Sequence, residues 1–116
     1  MSELTRLQSV DEIDPLLDRS HEAPVLIFKH SLSCPISRRA YGEYQRFLDE
    51  RPAGDPTVCT LVEIQNARGV SSALARRTGV LHESPQALLL RDGEVVWHAS
   101  HSSIRAEALK RAIASG

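Results

Sequence analysis

The stretch that most constrains the fold is residues 25–37, an apolar run that leads into a cysteine and a proline and reads Val-Leu-Ile-Phe-Lys-His-Ser-Leu-Ser-Cys-Pro-Ile-Ser. It begins as an apolar, β-branched segment of strand length. From Pro35 onward apolar residues recur at helical spacing, at Ile36, Ala40, Tyr44, Phe47 and Leu48. Pro35 suits the first helical position, because the N–H group that proline lacks would have no partner there. A buried strand is therefore followed by a helix, with Cys34 or Ser33 as the N-cap residue.

This position has a chemical consequence for Cys34. The positive end of a helix stabilises a thiolate relative to a thiol, and we expect the free N–H groups of the first turn to point at the sulfur. Arg38 and Arg39 follow directly and add positive potential near an anionic sulfur or an anionic substrate. We predict that Cys34 is a nucleophile for thiol–disulfide exchange, in which a thiolate attacks a disulfide sulfur.

The hydrophobic pattern of the remaining chain predicts a single α/β domain over residues 1–116. It indicates strands at 25–30, 57–64, 86–90 and 94–99, and helices at 35–50, at 70–77 and from Ser102 or Ser103 onward. Asp92-Gly93 predicts a two-residue hairpin turn between the last two strands. Residues 4–19 have helical spacing that Pro15 interrupts, which predicts an N-terminal helix or two short pieces. A βαβ unit, a β-hairpin and a closing helix together predict a four-stranded mixed sheet flanked by helices.

The residues around Cys34 resemble the monothiol bacilliredoxin family of the thioredoxin-like superfamily. The family's motif reads Thr-Cys-Pro-Ile-Ser, and this chain has Ser-Cys-Pro-Ile-Ser at residues 33–37, so that Ser33 keeps the hydroxyl group of the threonine it replaces. Two later blocks match as well, His-Glu-Ser-Pro-Gln at residues 82–86 and Val-Val-Trp-His-Ala-Ser-His at residues 95–101. The resemblance spans nearly the whole chain and implies a thioredoxin-like fold, in agreement with the pattern of elements.

The resemblance places Ser37 where other thioredoxin-like proteins have the second cysteine of Cys-x-x-Cys. A hydroxyl group can hydrogen-bond the Cys34 thiolate, but it cannot displace a mixed disulfide, so we expect a small thiol to stay on Cys34 until a second thiol arrives. Cys59 lies near the start of the second strand, roughly 15 Å from Cys34 by strand geometry. A disulfide requires Cα atoms within about 7 Å, so we predict that Cys59 is a buried core residue.

A second part of the site is implied by the resemblance alone. In thioredoxin-like proteins a cis-proline opens the third strand and faces the active cysteine, which assigns that position to Pro85 and a backbone contact with bound thiol or peptide to Ser84. Base rates for X-Pro bonds favour trans. His30 can hydrogen-bond or protonate a sulfur, or it can be a polar strand terminus. Arg38 can bind carboxylates of a thiol, or it can be a solvated helix residue.

The resemblance implies a thiol–disulfide oxidoreductase that removes bacillithiol from S-bacillithiolated proteins. Bacillithiol would then be the thiol co-substrate, with no further cofactor, and a reductant that the sequence does not identify would regenerate Cys34. Two alternatives remain open. One is an iron–sulfur cluster held between two subunits by one cysteine each and two small thiols, and the other is a non-catalytic thiol redox sensor.

Composition narrows the class of partner. The net charge of −1 over 116 residues gives no basic surplus for a nucleic acid. The N-terminus lacks a signal-peptide pattern and no apolar run is long enough to span a membrane, so we expect a cytoplasmic, reducing setting. We also expect no metal site, because the chain has neither Cys-x-x-Cys nor a histidine pair with zinc-like spacing.

Overall fold

A computed structural model describes residues 4–115 of the chain. Five strands and four α-helices alternate along it, joined in three places by a turn of 3-10 helix. The strands are β1 (Leu4–Arg6), β2 (Val25–His30), β3 (Val58–Glu63), β4 (Gln86–Arg91) and β5 (Glu94–Ser100). The helices are α1 (Ile13–Arg19), α2 (Pro35–Glu50), α3 (Arg68–Thr78) and α4 (Ala106–Ala114), and the 3-10 turns are Val10–Glu12, Ile64–Asn66 and His101–Ser103.

The strands form one mixed sheet in the order β1-β3-β2-β4-β5. β2 pairs in parallel with β3 and antiparallel with β4, and β4 pairs antiparallel with β5. Every residue of β2 is buried, as expected for a central strand that is covered on both faces. The α/β class, the βαβ unit and the closing hairpin are confirmed.

The predicted number of strands was wrong by one. β1 lies at the edge of the sheet, parallel to β3, with Leu4 opposite Cys59 and Arg6 opposite Leu61. Its three residues are too few to show the alternation that marks a strand, and Leu4 and Leu7 are also spaced as on a helix. The predicted N-terminal helix is present as α1, with Pro15 in its first turn.

The start of the last helix also differs from the prediction. Residues 102 and 103 lie in the 3-10 turn, and α4 begins only at Ala106. The N–H group of Ala106 donates to Oε1 of Glu43, at 2.9 Å. Because the acceptor that caps α4 comes from α2, no local sequence pattern could have placed this boundary.

Two hydrophobic clusters cover the two faces of the sheet. One joins β2 to α2 and α4 through buried residues that include Phe28, Tyr44 and Leu109. The other joins the opposite face to α1 and α3 through residues that include Ile27 and Leu74. The sheet is thus held from both sides, which leaves the ends of its strands and the loops beyond them as the place for chemistry.

Candidate active site

Cys34 is the N-cap residue of α2, as predicted, with Pro35 in the first helical position. Its thiol is partly exposed and free. The sulfur accepts no hydrogen bond from the first turn of α2, and the expectation that the free N–H groups point at it stays a prediction. The first turn of α2 carries no acidic side chain, which leaves the positive end of the helix uncompensated beside the thiol.

Ser37 has no exposed surface. Its Oγ accepts a hydrogen bond from the N–H group of Ser31 at 2.9 Å and lies 2.7 Å from Nδ1 of His30. These two bonds tie the first turn of α2 to the end of β2. The hydrogen bond that Ser37 could make to the Cys34 sulfur is absent among residues 4–115, where its hydroxyl group is engaged with His30 and Ser31.

His30 is 5% exposed and packs against two aromatic rings. Its ring stacks on Tyr41 with 4.7 Å between centroids and on Phe28 with 5.9 Å. Burial lowers the pKa of His30 from 6.5, Glu63 opposes that effect and Arg38 adds to it. The imidazole is therefore neutral at neutral pH, and either it or the hydroxyl group of Ser37 can donate their shared hydrogen bond.

Gln65 organises the loop before Cys34, although no sequence motif singles it out. Its Oε1 accepts the N–H group of Leu32 at 3.0 Å, and its Nε2 donates to Oγ of Ser31 at 3.0 Å and of Ser33 at 3.3 Å. Gln65 is separated from these three residues by between 32 and 34 positions along the chain. The one available signal was its place just after β3, since parallel strands end at the same edge of a sheet.

The peptide bond between Ser84 and Pro85 is cis, as the resemblance implies. Pro85 directly precedes β4, which runs antiparallel to β2, so it lies at the edge of the sheet where β2 ends and the loop to Cys34 begins. Its carbonyl oxygen accepts the N–H group of His101 at 3.1 Å. Oγ of Ser84 is buried and has no hydrogen-bond partner among residues 4–115.

A buried lysine supports the segment that leads to Pro85. Lys29 has no exposed surface, and its Nζ lies 3.3 Å from the carbonyl oxygen of Ser71 and 3.4 Å from Nδ1 of His82. Burial lowers the pKa of Lys29 from 10.5 to about 8. Burial and the charge of Lys29 lower the pKa of His82, whereas the charge of Glu83 raises it. A charged residue inside an otherwise apolar strand was a visible signal for this contact.

Cys59 is buried at the far end of the sheet, and its prediction as a core residue is confirmed. It lies opposite Leu26, four positions before His30, or about 13 Å along β2. Nη1 of Arg51 donates to its sulfur at 3.1 Å. Burial raises the pKa of Cys59 to about 11, with Arg51 opposing that effect, so Cys59 is a protonated thiol at neutral pH.

The remaining predicted residues lie around Cys34 on the surface. Ser33, Ile36 and Arg38 are exposed, and Arg38 donates its backbone N–H group to the carbonyl oxygen of Cys34 at 3.0 Å. Within the described chain, no three histidine, cysteine or acidic residues are grouped so that they could hold a metal ion. Among residues 4–115 no helix is both long and apolar enough to cross a membrane.

Comparison with known proteins agrees with this geometry. A solved structure described as a proposed oxidoreductase with a thioredoxin fold is 34% identical, has a TM-score of 0.81 and covers 94% of this chain and 92% of its own. Thioredoxin of Malassezia sympodialis is 14% identical with a TM-score of 0.77, and the match covers 99% of this chain and 91% of that thioredoxin. A thioredoxin mutant from Halobacterium salinarum is 18% identical with a TM-score of 0.71, and the match covers 97% of this chain and 89% of that protein. The family model for the monothiol bacilliredoxin BrxC matches residues 5–109. The chain therefore belongs to the monothiol bacilliredoxin family and has the thioredoxin fold of oxidoreductases that act on thiols.

Proposed function

We propose that the protein removes bacillithiol from S-bacillithiolated proteins by taking it onto Cys34. The observation that carries this proposal is the isolation of the Cys34 thiol. The residue one helical turn later is Ser37, and the second cysteine of the chain, Cys59, is buried at the other end of β2. A thiol placed in this way can accept a small thiol, and no nearby cysteine can then displace it.

The proposed reaction is one thiol–disulfide exchange. The Cys34 thiolate attacks the bacillithiol sulfur of the mixed disulfide, a new sulfur–sulfur bond forms, and the protein thiolate leaves and takes up a proton. One disulfide breaks and one forms, so no electrons are gained or lost overall. A second thiol or a reductant must then release bacillithiol from Cys34 to complete the cycle.

The surrounding residues have proposed roles in binding and positioning. We propose that the backbone of Ser84, ahead of Pro85, binds the incoming disulfide at the end of the sheet where β2 ends. His30 and Ser37 hold the first turn of α2 in position through their hydrogen bond. The exposed guanidinium group of Arg38 favours an anionic thiol, and bacillithiol carries carboxylates. We propose bacillithiolated proteins as partners, with the reaction taking place in the reducing cytoplasm.

The test is intact-mass analysis of a carrier protein that holds bacillithiol on one cysteine, mixed with wild type, Cys34→Ala or Cys59→Ala. We expect the carrier to lose bacillithiol and both wild type and Cys59→Ala to gain it, while Cys34→Ala leaves the carrier unchanged. If no variant accepts the thiol, the proposal fails. Transfer by Cys34→Ala that Cys59→Ala lacks would assign the chemistry to the wrong cysteine and would also refute it.

A further inference from the structure

We propose that the groove between α2 and the segment leading into α4 binds the carboxylate-bearing arm of the small thiol carried on Cys34. The inference rests on the proposed function, because it concerns the mixed disulfide that this function forms. The groove has a volume of about 640 Å³ and is lined at one end by Pro35 and Ile36. These two residues directly follow Cys34, so a molecule attached to the sulfur lies beside the entrance.

The acidic side chains of the groove are already engaged. Glu107 accepts two hydrogen bonds from Nη2 of Arg46, at 2.8 and 2.9 Å. Glu43 binds the N–H group of Ala106 through Oε1 and lies 3.6 Å from Arg46 through Oε2. Arg46, Glu43 and Glu107 together carry one net negative charge, and only with Arg39 and Arg105 does the lining of the groove reach one net positive charge.

Two guanidinium groups in the same groove have no acidic partner in the described part of the chain. Among residues 4–115, Arg39 makes no side-chain hydrogen bond or ion pair, and the side chain of Arg105 contacts only the carbonyl oxygen of Ser102, at 3.3 Å. A guanidinium group presents paired N–H donors that match the two oxygens of a carboxylate. Ile36, which is 51% exposed, adds an apolar contact beside them. The chemistry that this surface recognises is a pair of carboxylates joined to a short, partly apolar chain.

The distances along α2 set the length of the ligand. Arg39 follows Cys34 by five residues, which is roughly 7 Å along a helix axis. A thiol whose carboxylates lie about two residue lengths from its sulfur can span that distance, whereas a free cysteine is too short. The inferred ligand is thus a small thiol that carries two carboxylates at some distance from the sulfur.

The test uses two synthetic thiols of equal length, N-acetyl-Cys-Glu-Glu-amide and N-acetyl-Cys-Gln-Gln-amide. Each is supplied at equal concentration as its symmetric disulfide: the Cys34 thiolate attacks one sulfur, the mixed disulfide forms, and the released peptide thiolate takes up a proton, so that no other oxidant is consumed. Intact mass gives the ratio of the two mixed disulfides. We expect the acidic thiol to be favoured about three- to tenfold at low salt, with the ratio falling towards one in molar salt.

Arginine variants assign that preference to the groove. Arg39→Gln and Arg105→Gln should each reduce it, and the double variant should abolish it. Arg76→Gln, which removes an exposed arginine from α3, is the matched control and should leave it unchanged. Because no substrate protein is present, the preference reports the arm of the small thiol and not acidic residues of a partner.

Each other outcome decides against the groove. Equal loading of both thiols by wild type, or a preference that survives in the double variant, overturns the inference while the proposed function stands. A preference for the acidic thiol that survives in the double variant would point to Arg38 or to the N-terminal end of α2. Failure of Cys34 to form a mixed disulfide with either thiol would overturn both the inference and the proposed function.

Discussion

Replacing Lys29 with methionine should make the protein more stable. The Lys29 amine is fully buried and has no carboxylate partner among residues 4–115, and its contacts with Ser71 and His82 are long, at 3.3 and 3.4 Å. A fall in its pKa from 10.5 to about 8 corresponds to about 3 kcal/mol against the charged form. Loss of the two contacts offsets roughly 1 to 2 kcal/mol of this. We therefore expect Lys29→Met to raise the free energy of unfolding at pH 7 by about 1 to 2 kcal/mol.

The pH dependence of this effect has a defined sign. Because folding lowers the pKa of Lys29, the unfolded chain binds more protons than the folded chain between pH 8 and pH 10.5. Wild type should therefore gain stability as the pH rises through that window, and the full penalty should be present below pH 8. The methionine variant lacks this dependence, so its advantage should shrink by about 2 kcal/mol between pH 7 and pH 9.5.

Urea denaturation of wild type and Lys29→Met at several pH values measures both effects. Lys110→Met is the matched control, because Lys110 is a surface lysine paired with Glu50 and should show no such pH-dependent gain. A Lys29→Met variant that is less stable than wild type at pH 7 would refute the reasoning. An advantage that does not change with pH would also refute it, since the charge would then not be the cause.

Three further predictions concern α2 and the loop before it. Gly42→Ala should stabilise the protein by roughly 0.5 to 1 kcal/mol in urea denaturation, because a Cβ at this exposed helical position meets nothing within 4 Å; a loss of stability would contradict this. Ser37→Cys should let a second thiol displace bacillithiol from Cys34, seen by mass as free bacillithiol and an internal disulfide, whereas persistence of the adduct would refute it. Gln65→Ala removes three hydrogen bonds to residues 31–33, so it should slow thiol transfer severalfold and cost about 1 kcal/mol. Asn66→Ala, which removes one long hydrogen bond to Glu63 at 3.4 Å, is the control and should change neither the rate of thiol transfer nor the stability. Equal slowing by both variants would refute a specific role for Gln65.

Most regular elements followed from local pattern. The five apolar residues that repeat after Pro35 placed α2, and Asp92-Gly93 placed the turn between β4 and β5. Both turn residues have positive φ, 54° at Asp92 and 81° at Gly93, as a two-residue hairpin requires. These predictions held because the relevant forces act between residues close in sequence, through helical periodicity, capping and turn geometry.

The errors all arose where a distant residue decides the local structure. β1 exists because β3 offers a free edge to Leu4–Arg6, and α4 begins at Ala106 because Glu43 caps it. The hydroxyl group of Ser37, which residue type alone left free to hydrogen-bond the Cys34 sulfur, is engaged with His30 instead. Each contact joins residues from different elements, and a single sequence carries no record of such pairs.

The sequence by itself determined the fold class, the position of Cys34 at the start of α2 and the lack of a nearby second thiol, since these depend on residue type and on spacing along the chain. Only the tertiary structure decided how the site is supported. It brought Gln65 to the loop before Cys34, set Lys29 against His82, and left Arg39 and Arg105 without acidic partners among residues 4–115 in the groove along α2. The physical reason is that charge balance and hydrogen-bond satisfaction are settled between elements when they pack, after local propensity has placed them.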